Sequence, residues 1–74
     1  MATLYAASMA LRSKVRQFRE SKGLRQDDLA QEVAVSRQTI IAVEKNGYTP
    51  STELALRLAH VLGTTVEELF SLED

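Results

Sequence analysis

The chain contains no cysteine, which excludes both a disulfide framework and a thiolate metal site. Its one histidine, His60, cannot form a multi-histidine ligand set. Glycine occurs three times and proline once, and all four punctuate the chain. Gly23 and Gly63 close apolar-periodic stretches, while Gly47 and Pro50 fall in Asn46-Gly47-Tyr48-Thr49-Pro50, a turn by composition. No run approaches the ~18 apolar residues of a membrane span. The opening Met1 to Ala10 has no basic leader before its apolar part, so it makes a poor secretion signal, and a soluble cytoplasmic protein is expected. There is no nucleophile paired with a base, no glycine-rich phosphate loop and no carboxylate pair at ligand spacing. An enzyme is therefore not expected, nor is any cofactor, metal or small-molecule effector.

What is present is a single small domain's worth of ordinary globular sequence. The 74 residues are 45% hydrophobic and 26% charged. A chain of this length buries only roughly 60% of its unfolded surface, so compact helices or a partner must make up the rest. The net charge is -1, which by itself argues against an anionic partner, but the charges are segregated. Through Tyr48, Arg12, Lys14, Arg16, Arg19, Lys22, Arg25, Arg37 and Lys45 outnumber Glu20, Asp27, Asp28, Glu32 and Glu44, for a net +3. From Thr49 onward Arg57 alone opposes Glu53, Glu67, Glu68, Glu73 and Asp74, for a net -4. Such asymmetry is consistent with an anion on one side of the molecule.

Periodicity predicts an all-α fold, a compact bundle of four or five short helices and no strand. Leu11, Val15 and Phe18 recur at helical spacing up to Gly23. Gln26 to Ala34 places Leu29, Ala30 and Val33 on one face. Ser36 is a good N-cap for a helix reaching about Lys45 with Ile40 and Val43 inward. Ser51 caps a helix ending at Gly63, and Thr65-Val66-Glu67-Glu68 matches a capping box ahead of Val66, Leu69 and Phe70. The Ser51 to Leu62 stretch carries more apolar surface than the arc of about 100° a surface helix needs. Ala55, Leu56, Ala59 and Leu62 suit the core, while Leu54, Leu58 and Val61 extend the stripe. Either the last helix covers that excess or a second subunit does, with Phe70 and Leu72 as further interface candidates. Residues 11–74 are taken as the domain. Residues 1–10 precede it as a helical extension, since Leu4, Ser8, Leu11, Val15 and Phe18 keep a heptad-like spacing, or as a disordered arm.

Gln26 to Lys45 form one unit. Two short helices meet across a tight turn at Ala34-Val35-Ser36, the small Ala30 permits close approach, and Val33, Val35, Ile40 and Val43 lock the pair. This is the pattern of a helix-turn-helix, whose second helix fits the major groove of DNA. With Ile40 and Val43 inward, Gln38, Ile41, Ala42 and Lys45 face outward, flanked by Arg37 and Thr39. Arg37 and Gln38 occupy the first turn, nearest the base edges. Arginine can donate twice to guanine and glutamine can pair bidentately with adenine. Ile41 and Ala42 suit thymine methyls, and Thr39 and Lys45 suit phosphate.

The run from Leu24 to Ser51, above all Ser36-Arg-Gln-Thr-Ile40 and Glu44-Lys-Asn-Gly-Tyr-Thr-Pro-Ser51, resembles the Cro/repressor (XRE-type) helix-turn-helix family, and the likeness extends from about Lys14 to Leu72. The resemblance implies a five-helix, lambda-repressor-like DNA-binding fold and a transcriptional regulator, expected to be a repressor. The extra apolar stripe adds the expectation of a homodimer, which would read a near-palindromic site. The alternative within the same fold is an antitoxin or other protein-binding module. By resemblance, Gln26 anchors to phosphate and braces the reading residues, Arg37, Gln38 and Ala42 read bases, and Arg19 pairs with Glu44. Asn46, Tyr48, Thr49 and Ser51 fall in a loop that contacts phosphates. Two positions depart from the family pattern. Ala34 stands where glycine is usual, at a cost of about 1 kcal/mol. Arg25 replaces the Ser or Thr that caps the second helix, which gives up a cap in exchange for a cation facing phosphate.

Overall fold

The computed structural model describes residues 10–73. In chain order these form β1 (Ala10–Ser13), α1 (Val15–Ser21), α2 (Gln26–Glu32), α3 (Arg37–Val43), α4 (Thr52–Leu62), α5 (Val66–Leu69) and β2 (Phe70–Glu73). Five helices are present among the described residues, but the all-α expectation is corrected by the ribbon of β1 and β2. These strands pair antiparallel with Leu11 opposite Leu72 and Ser13 opposite Phe70.

The spacing of Leu11, Val15 and Phe18 suggested one helix because a strand that turns sharply into a helix can present the same apolar side. Ser13 breaks the run: its hydroxyl accepts from the Val15 amide at 3.3 Å. The Lys14 amide donates to the Leu69 carbonyl at 2.8 Å, so the helix starts only at Val15. Phe70 likewise leaves the expected last helix and takes extended backbone. Residues 1–9 of the proposed extension lie outside the described residues, and Ala10 belongs to β1 rather than to a helix.

Facing residues of an antiparallel pair share a face, as do residues two apart. The ribbon is therefore two-sided. Leu11, Leu72 and Phe70 lie on one face, and Arg12 lies on the other with Glu73, 3.9 Å from its carboxylate.

The core sits among all five helices. Val15, Leu29, Val33, Ile40, Val43, Leu58 and Leu69 are each below 2% exposed. Ala30 of α2 is buried, and α2 and α3 pack against each other, an approach that a small side chain suits. Three helix starts are capped by side chains. Ser36, Ser51 and Thr65 accept from the amides of Thr39, Leu54 and Glu68. The ends of α2 and α4 are closed by left-handed residues, Ala34 and Gly63. After Gly63 the Thr64 amide reaches back to the Ala59 carbonyl, and after Ala34 the Val35 amide reaches the Ala30 carbonyl in the same way. Ala34 holds φ at +60° without being glycine.

Two assignments on α4 change. Leu54 and Leu58 are buried at 7% and 0% exposure, so they pack inside the chain's own core and are not available to a second subunit. Leu56, expected in the core, is 59% exposed. The wide apolar arc is thus covered on the Leu54 and Leu58 side and open on the Leu56 side.

Candidate nucleic-acid interface

A network fixes α3 against α1 and α2 from beneath. Arg19, only 8% exposed, donates through Nε to Glu44 Oε2 at 2.5 Å and through Nη2 to Oε1 at 3.3 Å. Its third contact is Nη1 to the Leu24 carbonyl, 2.8 Å. Gln26, at the first position of α2, donates from its amide to Glu44 Oε1 at 3.1 Å. The hydrogen bond to Glu44 raises the pKa of Arg19 beyond its ordinary value, against the opposing effect of burial. Every buried side-chain nitrogen and oxygen among the described residues has a partner. One carboxylate thus holds the end of α3, the start of α2 and the middle of α1 in fixed relation.

Above this network, Arg37 and Gln38 stand exposed on the first turn of α3. Ile41 and Ala42 follow one turn later, half-buried, and Thr39 is turned aside with its hydroxyl 3.1 Å from that of Ser36. Arg37, Arg25, Arg16 and Gln26 come together around a polar cleft whose floor is the Arg19 and Glu44 pair. Arg25 itself points its guanidinium outward, with 83% of its side chain exposed.

The missing cap at Arg25 is replaced from the other direction. Arginine has no acceptor to offer the helix amides. Instead Asp28 accepts from the Arg25 backbone amide at 2.8 Å and from its Nε at 3.4 Å, so the carboxylate half of a capping box is made without the hydroxyl half. The backbone hydrogen bond, then that from the guanidinium, hold the Asp28 carboxyl below its ordinary value of 3.8.

The loop after α3 is held by the ribbon. The Gly47 amide donates to the Leu11 carbonyl at 2.8 Å, and Asn46 Oδ1 accepts from the Ser13 amide at 3.0 Å. Lys45, Asn46, Tyr48 and Thr49 are exposed along it. Asn46 and Ser51 are both structural acceptors, the latter for the Leu54 amide at 3.1 Å, and each keeps a donor free.

Two residues of this face escaped the sequence reading. Arg16 sits one turn before Arg19 and Glu20, paired with the latter at 3.1 Å, and a cation on α1 carried no local mark of facing the cleft. Asp27 lies 3.8 Å from Arg37. Its position in the first turn of α2, beside Gln26, was the available signal. His60 is exposed, and no cluster of three or more metal-ligating side chains occurs among the described residues. No helix among them is long and apolar enough to cross a membrane.

A second concave feature lies on a different set of elements. Leu11, Pro50, Ala55, Leu56, Val66 and Phe70 line a mostly apolar groove between α4, α5, the ribbon and the Thr49–Pro50 loop. Leu72, 56% exposed, continues that face through its pairing with Leu11. Val61 is half-buried at the edge of the core instead.

A family model described as Helix-turn-helix matches residues 15–69. The chain is 44% identical over 64 residues to an uncharacterized HTH-type transcriptional regulator of Methanocaldococcus jannaschii, covering 86% of this chain and 97% of that protein. It is 34% identical over 59 residues to the cryptic phage CTXphi transcriptional repressor RstR of Vibrio cholerae, covering 80% of this chain and 53% of that one. Among solved structures it is similar to the clp gene regulator ClgR from Corynebacterium glutamicum, with a TM-score of 0.67 and 31% identity. That match covers 73% of this chain and 57% of the other, so this chain spans little more than half of that structure.

Proposed function

The chain belongs to the helix-turn-helix family, and from that premise we propose that it is a cytoplasmic transcriptional regulator that reads duplex DNA with α3 in the major groove. One observation carries the reading. Arg37 and Gln38, the side chains suited to guanine and adenine edges, stand exposed on the first turn of a helix whose base is pinned by Arg19, Glu44 and Gln26. A reading residue is useful only if its helix cannot roll, and the pinned carboxylate supplies that rigidity.

In this reading Ile41 and Ala42 extend the base-contacting surface. Arg25, Gln26, Thr39, Lys45, Asn46, Tyr48, Thr49 and Ser51 surround it as phosphate contacts that set register without reading sequence. Likeness to a phage repressor supports repression by occupancy. The open groove supports a homodimer, with two copies of α3 about 34 Å apart on a near-palindrome.

Selection of bound sequences from random duplex DNA tests the function. A near-palindromic consensus is expected, and Arg37→Ala or Gln38→Ala should each weaken its binding by roughly 1–3 kcal/mol and relax one base pair per half-site. Equal weakening on every sequence would reassign those residues to phosphate. The groove also favours one second reading, a protein-binding module of the antitoxin kind. Copurification of a small partner by a protein that selects no DNA would establish that reading instead.

A further inference from the structure

The face proposed to meet DNA carries one acid where repulsion from phosphate would be expected to exclude it. The first turn of α2 holds Asp27 and Asp28. Asp28 is accounted for by its hydrogen bond to the Arg25 amide. Asp27 faces the cleft instead, beside Arg25, Gln26 and Arg37. Two-thirds of its side chain is exposed, and its Oδ1 lies 3.8 Å from Arg37 Nε. As an ion pair in water this contact contributes little to stability. Its geometry is more informative than its strength.

Guanidinium has a single N–H at Nε and two terminal nitrogens that form a fork. Guanine O6 and N7 take that fork. A carboxylate 3.8 Å from Nε biases the side chain toward the cleft while leaving the fork free. It also creates an asymmetry between two uses of the same arginine. If Arg37 stays beside Asp27 and donates forward to a base, the carboxylate remains neutralised. If Arg37 swings to a phosphate, Asp27 is left unpaired against the DNA backbone, where like charges repel. The penalty falls on the sequence-independent complex and not on the specific one.

We propose that Asp27 is a specificity-determining positioning residue, which holds Arg37 for base reading and disfavours complexes in which Arg37 pairs with phosphate. The proposal rests on the DNA-reading function above and adds a residue that does not itself touch a base.

The test runs parallel selections from one random duplex library with the wild-type chain, Asp27→Asn, Asp27→Glu and Arg37→Ala. Affinity for a fixed duplex outside the selected consensus is measured alongside at two salt concentrations. Asp27→Asn is expected to flatten base preference at the same position in the half-site as Arg37→Ala, leaving the other positions as in wild type. It should bind the non-consensus duplex several-fold more tightly, and Asp27→Glu should retain the preference. A merely structural role would blur all positions together and leave non-specific affinity unchanged or lower. Unchanged preference in Asp27→Asn, uniform blurring, or flattening at a position Arg37→Ala does not affect would each overturn the proposal. If the wild-type chain selects no consensus while binding all duplexes alike, the DNA-reading function itself fails and this assignment fails with it.

Discussion

Ala34 shows how a single residue can be in the right place and of the wrong kind. The turn between α2 and α3 requires φ of +60° there, and the Val35 amide completes the closure on Ala30. Gly63 performs the same closure after α4 at φ +69° without a Cβ to strain. Ala34→Gly should therefore stabilise the protein by about 1 kcal/mol, seen as a higher urea midpoint with an unchanged slope. No gain would mean that the extra freedom glycine gives the unfolded chain offsets the relief of strain. Charge at the residue scale works in the opposite sense. Glu44→Ala strands Arg19, whose side chain is 10% exposed, and should destabilise by about 3 kcal/mol. Replacing both with methionine should recover much of that loss, because it removes the unpaired charge as well as the pair. A double-mutant cycle by denaturant unfolding measures the difference. The identity of this pair was legible through family likeness. Its extension to Gln26 and the Leu24 carbonyl was not, since side-chain direction at a helix start depends on the packing of three helices at once.

At the scale of elements, the helices were readable where local signals mark their ends. Ser36, Ser51 and Thr65 begin three of them as their spacing implied. The ribbon was not readable, because its strands are four residues each and their partners lie at opposite ends of the chain. No local period distinguishes so short a strand from the turn of a helix. Yet the ribbon supports the loop that follows α3, through Gly47 to Leu11 and Ser13 to Asn46. Asn46→Ala should cost about 1 kcal/mol for the lost acceptor and speed amide exchange at Ser13. It should weaken DNA binding evenly across sequences, as expected if the loop positions without reading. The start of α2 makes a pH-dependent prediction. Asp28 has its carboxyl pKa depressed in the folded chain by the Arg25 amide and guanidinium. Its contribution is therefore complete above the unfolded value near 3.8 and disappears as pH falls through the lower folded value. Asp28→Asn should be less stable than wild type at neutral pH, with the gap closing in acid. A gap that persists in strong acid would mean that the carboxylate's charge is not what caps the helix.

For the whole molecule, the question is where the unpartnered apolar surface leads. The sequence placed the excess on α4 but assigned it to Leu54 and Leu58, because a helical wheel gives the width of an arc and not which edge the neighbours cover. In the fold those two leucines are inside, and Leu56 with Leu72 is outside at 59% and 56% exposure. Between them run Leu11, Val66 and Phe70 along the groove. This face is built from α4, α5, the ribbon and the Thr49–Pro50 loop, whereas the polar cleft is lined from α1, α2 and α3. The two share no lining residue, so a partner copy can occupy the groove and leave the cleft open, with Thr49 alone of the proposed phosphate contacts at the groove. The charge follows the same division: the basic excess lies before Thr49 and the acidic excess after it. Dimerising through the acidic part would keep two basic surfaces free for one duplex. Leu56→Glu tests this arrangement. An exposed leucine in the free chain can be exchanged within about 0.5 kcal/mol of monomer stability, so the variant should fold. Across a two-fold axis the new carboxylate would be buried near its own copy, and sedimentation should report a monomer. Binding to a full selected site should fall to the affinity of a single half-site, with base preference within that half-site retained and the salt dependence roughly halved as the number of phosphate contacts halves. A Leu56→Glu chain that remains dimeric would place the second copy elsewhere. One that is monomeric yet binds the full site undiminished would mean that each copy of α3 reads DNA alone.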